Sequence, residues 1–352
     1  MTSPPPALRL ILDSDALVSN WRWLARQSGR ATCGAAVKAD GYGLGAREVV
    51  KRLAAAGCRD FFVATWAEAA ALGRLPEGAA LSVLHGVRDE DLAAALAGPA
   101  RPVLNTPAQV ARWREHGEGR PCDVMVDTGM NRLGLTPVQA RSGLLDGLAI
   151  DTLMSHLACA DEPGNAMNER QLFAFRALKG MVPARRYSFA NSAGICLGQR
   201  YAFGLTRPGL ALYGGIPHAP DPTQSSALRP VVAIEAQVLQ VRDVPRGATV
   251  GYGATFTAAA ALRVAILNLG YADGYLRAFG GGIGAAACGD RRCPLIGRVS
   301  MDLVAVDVTG ADVAESDWLR LDYDLPAQAA VTGLSQYELL TLLGRRYQRR
   351  WT

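Results

Sequence analysis

The chain has 352 residues, is 49% hydrophobic and 20% charged, and carries a formal net charge of +5 with seven cysteines. That length allows one barrel-sized domain with a smaller partner, and the composition describes a globular protein with a real core. The charge is scattered, and its densest cluster, Gly344 to Trp351, reads as a solvated helix end rather than a nucleic-acid patch.

No apolar run approaches membrane-spanning length, and Met1 to Ala7 lacks a basic stretch followed by an apolar core. The expectation is a cytoplasmic protein with neither membrane nor nucleic acid as partner. The cysteines show no paired metal spacing, since Cys288 and Cys293 lack two further partners; free thiols and no metal follow.

A first helix is predicted over Ser14 to Gln27, ending at Gly29. Next comes the apolar run Ala35-Ala-Val-Lys38, then a turn rich in glycine (Gly41, Gly43, Gly45) and a helix over Ala46 to Ala56 closed by Gly57. Lys38 stands at a strand tip, where parallel α/β proteins keep their chemistry, although a surface lysine after a strand is equally compatible with the local pattern.

Further strand candidates are Asp60 to Ala64, Ala80 to Leu84, Arg101 to Leu104, Cys122 to Val126, Ile150 to Met154, Arg186 to Phe189 and Phe203 to Thr206. Helix starts between them are marked by Thr65 with Glu68, by Asn105-Thr-Pro-Ala-Gln109 and by Thr136-Pro-Val-Gln139. Asn165 to Lys179 is expected to be the longest of these intervening helices. Eight strands alternating with helices is the arithmetic of a (β/α)8 TIM-like barrel, with an open doubly wound sheet as the alternative. No Gly-x-Gly-x-x-Gly follows the first strand, which argues against a dinucleotide site.

After the linker His218 to Ser226 the character changes. Runs at Val231 to Val241, Leu262 to Leu269, Leu295 to Val299 and Leu303 to Val308, separated by glycine-rich turns, predict a mostly-β C-terminal domain. A short helix is expected over Tyr337 to Leu343, capped by Ser335 with Glu338. The expected domains are residues 8–222 and 229–352.

In a barrel, the positions just after the strands share one mouth. Here they are Lys38, Tyr42, Asp127, Arg132, His156, Asn191, Ser192, Arg207 and Gly209, a set suited to an anionic, ring-containing ligand, with the late glycine and serine positions suited to phosphate. Blander readings stand beside each: His156 as a core histidine, Arg132 as a surface ion pair. Arg207, between apolar stretches, must reach a partner or solvent.

Three motifs then carry a resemblance to the alanine racemase family, the fold-type III pyridoxal-phosphate enzymes: Ala36-Val-Lys-Ala-Asp-Gly-Tyr-Gly43, Val126-Asp-Thr-Gly-Met-Asn-Arg-Leu-Gly134 and Gly297-Arg-Val-Ser-Met-Asp302. The resemblance covers essentially the whole chain and implies interconversion of L- and D-alanine on pyridoxal 5'-phosphate, supplying D-alanine for peptidoglycan. Racemisation of serine or another small amino acid, or a catalytically silent cofactor-binding protein, are the alternatives.

By the same resemblance, Lys38 is the lysine joined to the cofactor and one of two bases. Tyr252 is the other, contributed by the second subunit of a head-to-tail homodimer. Arg207 faces the pyridine nitrogen and is held by His156. Tyr42, Asn191, Ser192, Gly209, Leu210 and Tyr337 match the phosphate-binding positions, Arg132 the arginine near the substrate carboxylate, and Tyr271, Met301 and Asp302 residues at the substrate site. Two departures stand out. Leu44 replaces a usual histidine, and Met125 replaces a lysine, often carbamylated, that orients the arginine; Arg132 then needs another anion, a water or an ion such as chloride.

Overall fold

A computed structural model describes residues 6–219 and 221–352. The chain divides into two compact units: Asp15–Arg229, and the residues up to Ser14 together with Pro230–Thr352.

The first strand, β1 (Leu8–Leu12), belongs to the second of these units. The first unit begins its sheet with β2 (Thr32–Cys33) and β3 (Ala35–Ala36), two halves of one strand interrupted at Gly34. β4 (Asp60–Val63), β5 (Ala80–Val83), β6 (Arg101–Leu104), β7 (Cys122–Met125), β8 (Ile150–Met154), β9 (Arg186–Ser188) and β10 (Leu205–Thr206) follow, each paired in parallel with the next. β2 pairs with β10 and β3 with β4, so the split strand joins the two edges and the sheet closes. The expected eight-stranded barrel is therefore present and the open sheet is not. Gly34 permits the closure: a β-carbon there would stand 2.8 Å from the Asp60 carbonyl oxygen.

Alternation along the strands stacks the interior in layers. Phe62, Val103, Met125, Met154 and Leu205 form an apolar layer with Leu84 packed against it. Two residues earlier on these strands come Asp60, Ser82, Arg101 and Asp123, and this second layer is ionic. Arg186 binds Asp60 through both Nη atoms (2.9 and 2.6 Å) and Asp151 at 2.9 Å; Arg101 approaches Asp123 and Asp151 at 3.4 Å; Ser82 donates to Asp123 at 2.5 Å. Burial pushes the Asp151 carboxyl up, but Arg185, Arg101 and Arg186 outweigh it and hold it well below the usual range.

Helix boundaries follow their caps. Ser14–Gln27 and Ala46–Ala56 lie where expected, Thr65 and Glu68 form a capping box, and Thr106 and Thr136 accept from the amides of Gln109 and Gln139. The helix capped by Asn165 is shorter than predicted, Ala166–Arg176, and at 11 residues only equals Ala46–Ala56. The expected polar linker contains a helical turn, Pro222–Ala227, because Asp221 accepts from the amides of Thr223 and Gln224.

The second unit is mostly β, as anticipated. Its strands after β1 are β11 (Val232–Val244), β12 (Thr249–Val250), β13 (Phe256–Thr257), β14 (Leu262–Leu267), β15 (Ala285–Cys288), β16 (Arg291–Ile296), β17 (Val304–Asp307), β18 (Trp318–Leu321) and β19 (Gln348–Trp351). Antiparallel pairings run β11–β14–β17–β16–β15–β18 and back to β11, a closed ring of six strands. β1 adds to β11 antiparallel and β19 to β1 in parallel. This pairing takes Leu8–Leu12 out of the expected first domain, and it makes the basic tail a strand rather than a helix end. Two helices complete the unit, Leu325–Thr332, which periodicity did not reveal, and Gln336–Thr341, whose cap is Ser335 with Glu338 as expected.

All seven cysteines are free, and among the described residues no helix is long and apolar enough to cross a membrane and no cluster of three or more metal-ligating side chains exists.

Arg186→Met leaves the buried Asp60 without its bidentate partner and removes one of three guanidiniums from Asp151, and is expected to lower the unfolding free energy by about 3 kcal/mol in urea titration. Arg185→Met removes a guanidinium that is 64% exposed, and should cost less than ~1 kcal/mol. Because the Asp151 pKa is depressed on folding, its contribution is fully present above about pH 4 and is lost as pH falls further. The acid sensitivity of stability should shrink in Arg186→Met; equal losses in the two variants, or an unchanged acid limb, would contradict this account.

Candidate active site at the barrel mouth

Lys38 follows β3 and opens an unusual turn. Ala39, Asp40, Gly41 and Tyr42 have φ of 52°, 52°, 65° and 55°, a left-handed helical turn that costs each non-glycine residue about 1–2 kcal/mol. Side chains from neighbouring segments compensate. The two carboxylate oxygens of Glu68 accept from the amides of Ala39 (2.8 Å) and Ala64 (2.6 Å), and Asp40 accepts from the amide of Ala46 (2.9 Å). At Gly41 the positive φ and a β-carbon position 3.1 Å from the Ala46 backbone both demand glycine. The Lys38 amine has its pKa lowered by burial first and by the Arg132 cation second, with Glu68 acting in the opposite sense. It therefore loses its proton more readily than a solvated lysine.

Tyr42, at the end of that turn, stacks on Tyr213 with ring centroids 4.6 Å apart. The Tyr213 hydroxyl donates to the Ala36 carbonyl at 2.9 Å, which fixes the pair against β3. The Tyr42 hydroxyl reaches Gly209 so closely that a β-carbon there would overlap it. The amides of Gly209 and Ala211 donate to Ser192 Oγ (2.9 and 3.2 Å), and Asn191 caps the turn Ser192–Cys196 by accepting from the Gly194 amide (2.8 Å). Leu210 begins the adjoining 3-10 turn, Leu210–Tyr213. Tyr42, Asn191, Ser192, Gly209 and Leu210 are thus gathered in one place, as anticipated.

Arg207 is buried, and its pKa is pushed down to about 10 by burial, with Asp123 opposing. Its guanidinium donates to Ser188 Oγ and to the Ser155 carbonyl (2.5 Å). His156 does not take a hydrogen bond from Arg207, contrary to expectation; the neighbouring main chain at Ser155 does. His156 is instead held neutral. Its pKa is pushed down to about 3 by its enclosed surroundings first, then by Arg207, Arg132 and Lys38.

Arg132 rides on a closed loop. Val126 and Leu135 form a bridge at its neck, with hydrogen bonds from the Asp127 amide to the Leu135 carbonyl (2.8 Å) and from the Leu135 amide to the Met125 carbonyl (2.9 Å). Inside the loop Asp127 accepts from the amides of Gly129 (2.7 Å) and Arg132 (3.0 Å). Burial pushes the Asp127 carboxyl up, but the surrounding loop amides prevail and keep it below the usual range. Arg132 itself is exposed, and among the described residues its guanidinium forms no ion pair. Met125 lies in the apolar interior layer and offers it no acceptor.

Tyr252, Tyr271, Met301, Asp302 and Tyr337 lie in the second unit. Tyr252 stands on the turn Tyr252–Ala254 and is 74% exposed; Met301 and Tyr337 are exposed as well. The turn of Tyr271 is tied to that of Met301 and Asp302 by hydrogen bonds from the Tyr271 amide to the Ser300 carbonyl and from the Ala272 amide to the Met301 carbonyl, both 3.0 Å. Arg346 joins the same group, donating to Asp302 (2.7 Å) and to both oxygens of Asp273 (2.6 and 2.8 Å).

Tyr213, Ser188, Ser155, Glu68 and Arg346 all hold site residues and were not singled out from the sequence. Of these, Tyr213, flanked by Gly214-Gly215 after an apolar run, carried a usable signal, whereas Glu68 reads only as a capping residue.

A profile described as the N-terminal domain of alanine racemase matches residues 12–217, and one for the C-terminal domain of alanine racemase matches residues 231–351. An alanine racemase of Methylobacterium nodulans is 43% identical over 361 residues, covering 97% of this chain and 95% of its own. A catabolic alanine racemase of Agrobacterium fabrum is 42% identical, covering 97% and 91%. The crystal structure of alanine racemase from Bartonella henselae with covalently bound pyridoxal phosphate superposes with a TM-score of 0.90 at 35% identity, over 99% of this chain and 100% of that one. With both domain profiles matched in order and relatives aligned along nearly its whole length, the chain belongs to the alanine racemase family.

Proposed function

We propose that this chain interconverts L- and D-alanine with pyridoxal 5'-phosphate held at the barrel mouth, Lys38 and Tyr252 serving as the two bases. The observation that carries the reading is the Lys38 turn: a strained left-handed segment, stabilised from outside, that opens with a lysine whose pKa is lowered by burial and by Arg132.

The residues present fit the cofactor. Gly209 has no side chain and so lets the Tyr42 hydroxyl lie against it, beside Ser192 and the turn capped by Asn191, and this cluster of hydroxyls and turn amides suits a phosphate. Arg207, anchored by Ser188 and Ser155, suits a ring nitrogen that must stay unprotonated, since a guanidinium does not practically give up its proton. When bound, the cofactor withdraws electrons from the substrate α-carbon and so makes its proton removable.

Each residue then has a separate task. Lys38, whose proton burial and the Arg132 cation make easier to lose, removes or returns the α-proton on one face and Tyr252 does so on the other, which is what inversion requires. Arg132 receives the substrate carboxylate, and neutral His156 adds no further cation beside Arg132 and Arg207. Tyr271, Met301 and Asp302 border the substrate, and Tyr337 adds a contact to the phosphate. Tyr252 reaches the site from a second copy in a head-to-tail homodimer; the exposure of Tyr252, Met301 and Tyr337 supports this. The product D-alanine serves peptidoglycan synthesis, and no observation favours serine over alanine.

Lys38→Ala and Tyr252→Phe should each lower racemisation at least a thousandfold in a chiral assay run from either enantiomer of alanine. Mixing the two inactive variants under conditions that exchange subunits should restore part of the activity, because one mixed site keeps both bases. No recovery would sink the shared-site arrangement, and undiminished turnover in either variant would sink the two-base assignment.

The apoprotein offers a second check. Cofactor reloading needs a neutral Lys38 amine, so its rate should rise with pH around a midpoint below 10.5. Arg132→Gln removes a cation and should move that midpoint up, whereas Glu68→Gln removes an anion and should move it down. Shifts of the same sign would contradict the electrostatic picture.

A further inference from the structure

The helix Ala166–Arg176 lies on the outside of the barrel, yet one of its residues, Gln171, is fully buried and spends its whole amide on the mouth. Its Nε2 donates to Thr128 Oγ1 (3.2 Å) and to the His156 carbonyl (3.0 Å), and its Oε1 accepts from the Ala158 amide (2.9 Å). Thr128 belongs to the loop that carries Arg132. His156 and Ala158 belong to the segment after β8, which also supplies the Ser155 carbonyl that takes a hydrogen bond from Arg207. A direct contact, Thr128 Oγ1 to Ser155 Oγ at 2.8 Å, runs parallel to the Gln171 link. The helix also packs on the loop, since a β-carbon at Gly129 would stand 3.4 Å from Met167 and 3.7 Å from Gln171.

Asp127 orders the Arg132 loop from within but ties it to nothing else. Above the neck at Val126 and Leu135, its links to the segment after β8 are the Thr128 hydroxyl and the side chain that grips it. Met125, beneath the loop, is apolar and gives the arginine no anchor. The geometry points to Gln171 as a positioning residue that clamps the Arg132 loop to the segment holding His156 and Arg207, so that recognition of the substrate carboxylate depends on a helix outside the mouth. This rests on the reading of Arg132 as the carboxylate partner. A glutamine is suited to the task because one planar amide donates twice and accepts once, here to three different backbone and hydroxyl groups.

The experiment uses the holoenzyme, with propionate as a probe that has the carboxylate and lacks the amine. Gln171→Leu keeps the bulk and removes the hydrogen bonds. It should raise KM for alanine and the inhibition constant of propionate together by roughly tenfold, with kcat within about threefold and the visible absorbance of the bound cofactor unchanged. Arg132→Ala should raise both constants further, and the double variant should be no worse than Arg132→Ala alone. Additive losses would overturn the proposal, as would loss of cofactor absorbance or of kcat with both constants unchanged. Should Gln171→Leu fail to fold, Thr128→Val cuts the same link from the loop side and must reproduce the pattern; wild-type constants in that variant would overturn it. If Arg132→Ala leaves both constants unchanged, the assignment of Arg132 itself fails and takes this one with it, a result distinct from additivity.

Discussion

The closure of the barrel at Gly34 is the constraint on which the first unit depends. One short strand must pair on both sides, β2 with β10 and β3 with β4, and the backbone approach to Asp60 leaves no room for a side chain. Once the ring is closed, residues after eight separate strands have only one place to go. Lys38, Arg132, His156 and Arg207 are separated by as much as 169 positions in the numbering, from 38 to 207, and meet because the ring leaves their strand tips at one end.

Two electrostatic layers lie along that barrel, with an apolar layer between them. The deep one sets Arg101, Arg185 and Arg186 against Asp60, Asp123 and Asp151, so its charges are paired and hydrogen-bonded. The layer at the mouth is left positive: Lys38, Arg132 and Arg207 influence one another or His156, and the nearby carboxylates of Glu68 and Asp127 are largely occupied by backbone amides. Such an imbalance is unfavourable for the protein alone and favourable for an anionic guest, which a phosphate and a carboxylate both are. Binding and stability are thereby assigned to different depths of one scaffold.

The layout of the fold was legible because its signals are local. Thr65 with Glu68, Thr106 with Gln109 and Ser335 with Glu338 announce helix starts in four residues, and eight apolar runs announce the strands. What sequence could not convey was pairing between distant segments. Nothing in Leu8–Leu12 announces its partners, β11 and β19, and Gly344 to Trp351 looks solvated until Arg346 is seen to hold Asp273 and Asp302. The same limit applied to the site. The resemblance named the principal residues, but Glu68, Tyr213 and Gln171 act through backbone atoms of other segments, and nothing in their own neighbourhoods marks it. His156 was expected to hold Arg207, whereas the hydrogen bond goes to the carbonyl of the adjacent Ser155, a difference of one residue that no motif resolves.

The pairing of Arg9 with Gln348 across β1 and β19 also orders events during synthesis. The barrel unit is contiguous, Asp15–Arg229, and all its strands exist once that stretch has left the ribosome, so it can fold while the rest is still being made. The second unit cannot. Its sheet includes a strand made before the barrel unit, Leu8–Leu12, that must stay unpaired on one edge until Gln348–Trp351 arrives, and Arg346 must be present before Asp273 and Asp302 are neutralised. The unit that bears Lys38 is thus assembled early and the unit that bears Tyr252 late.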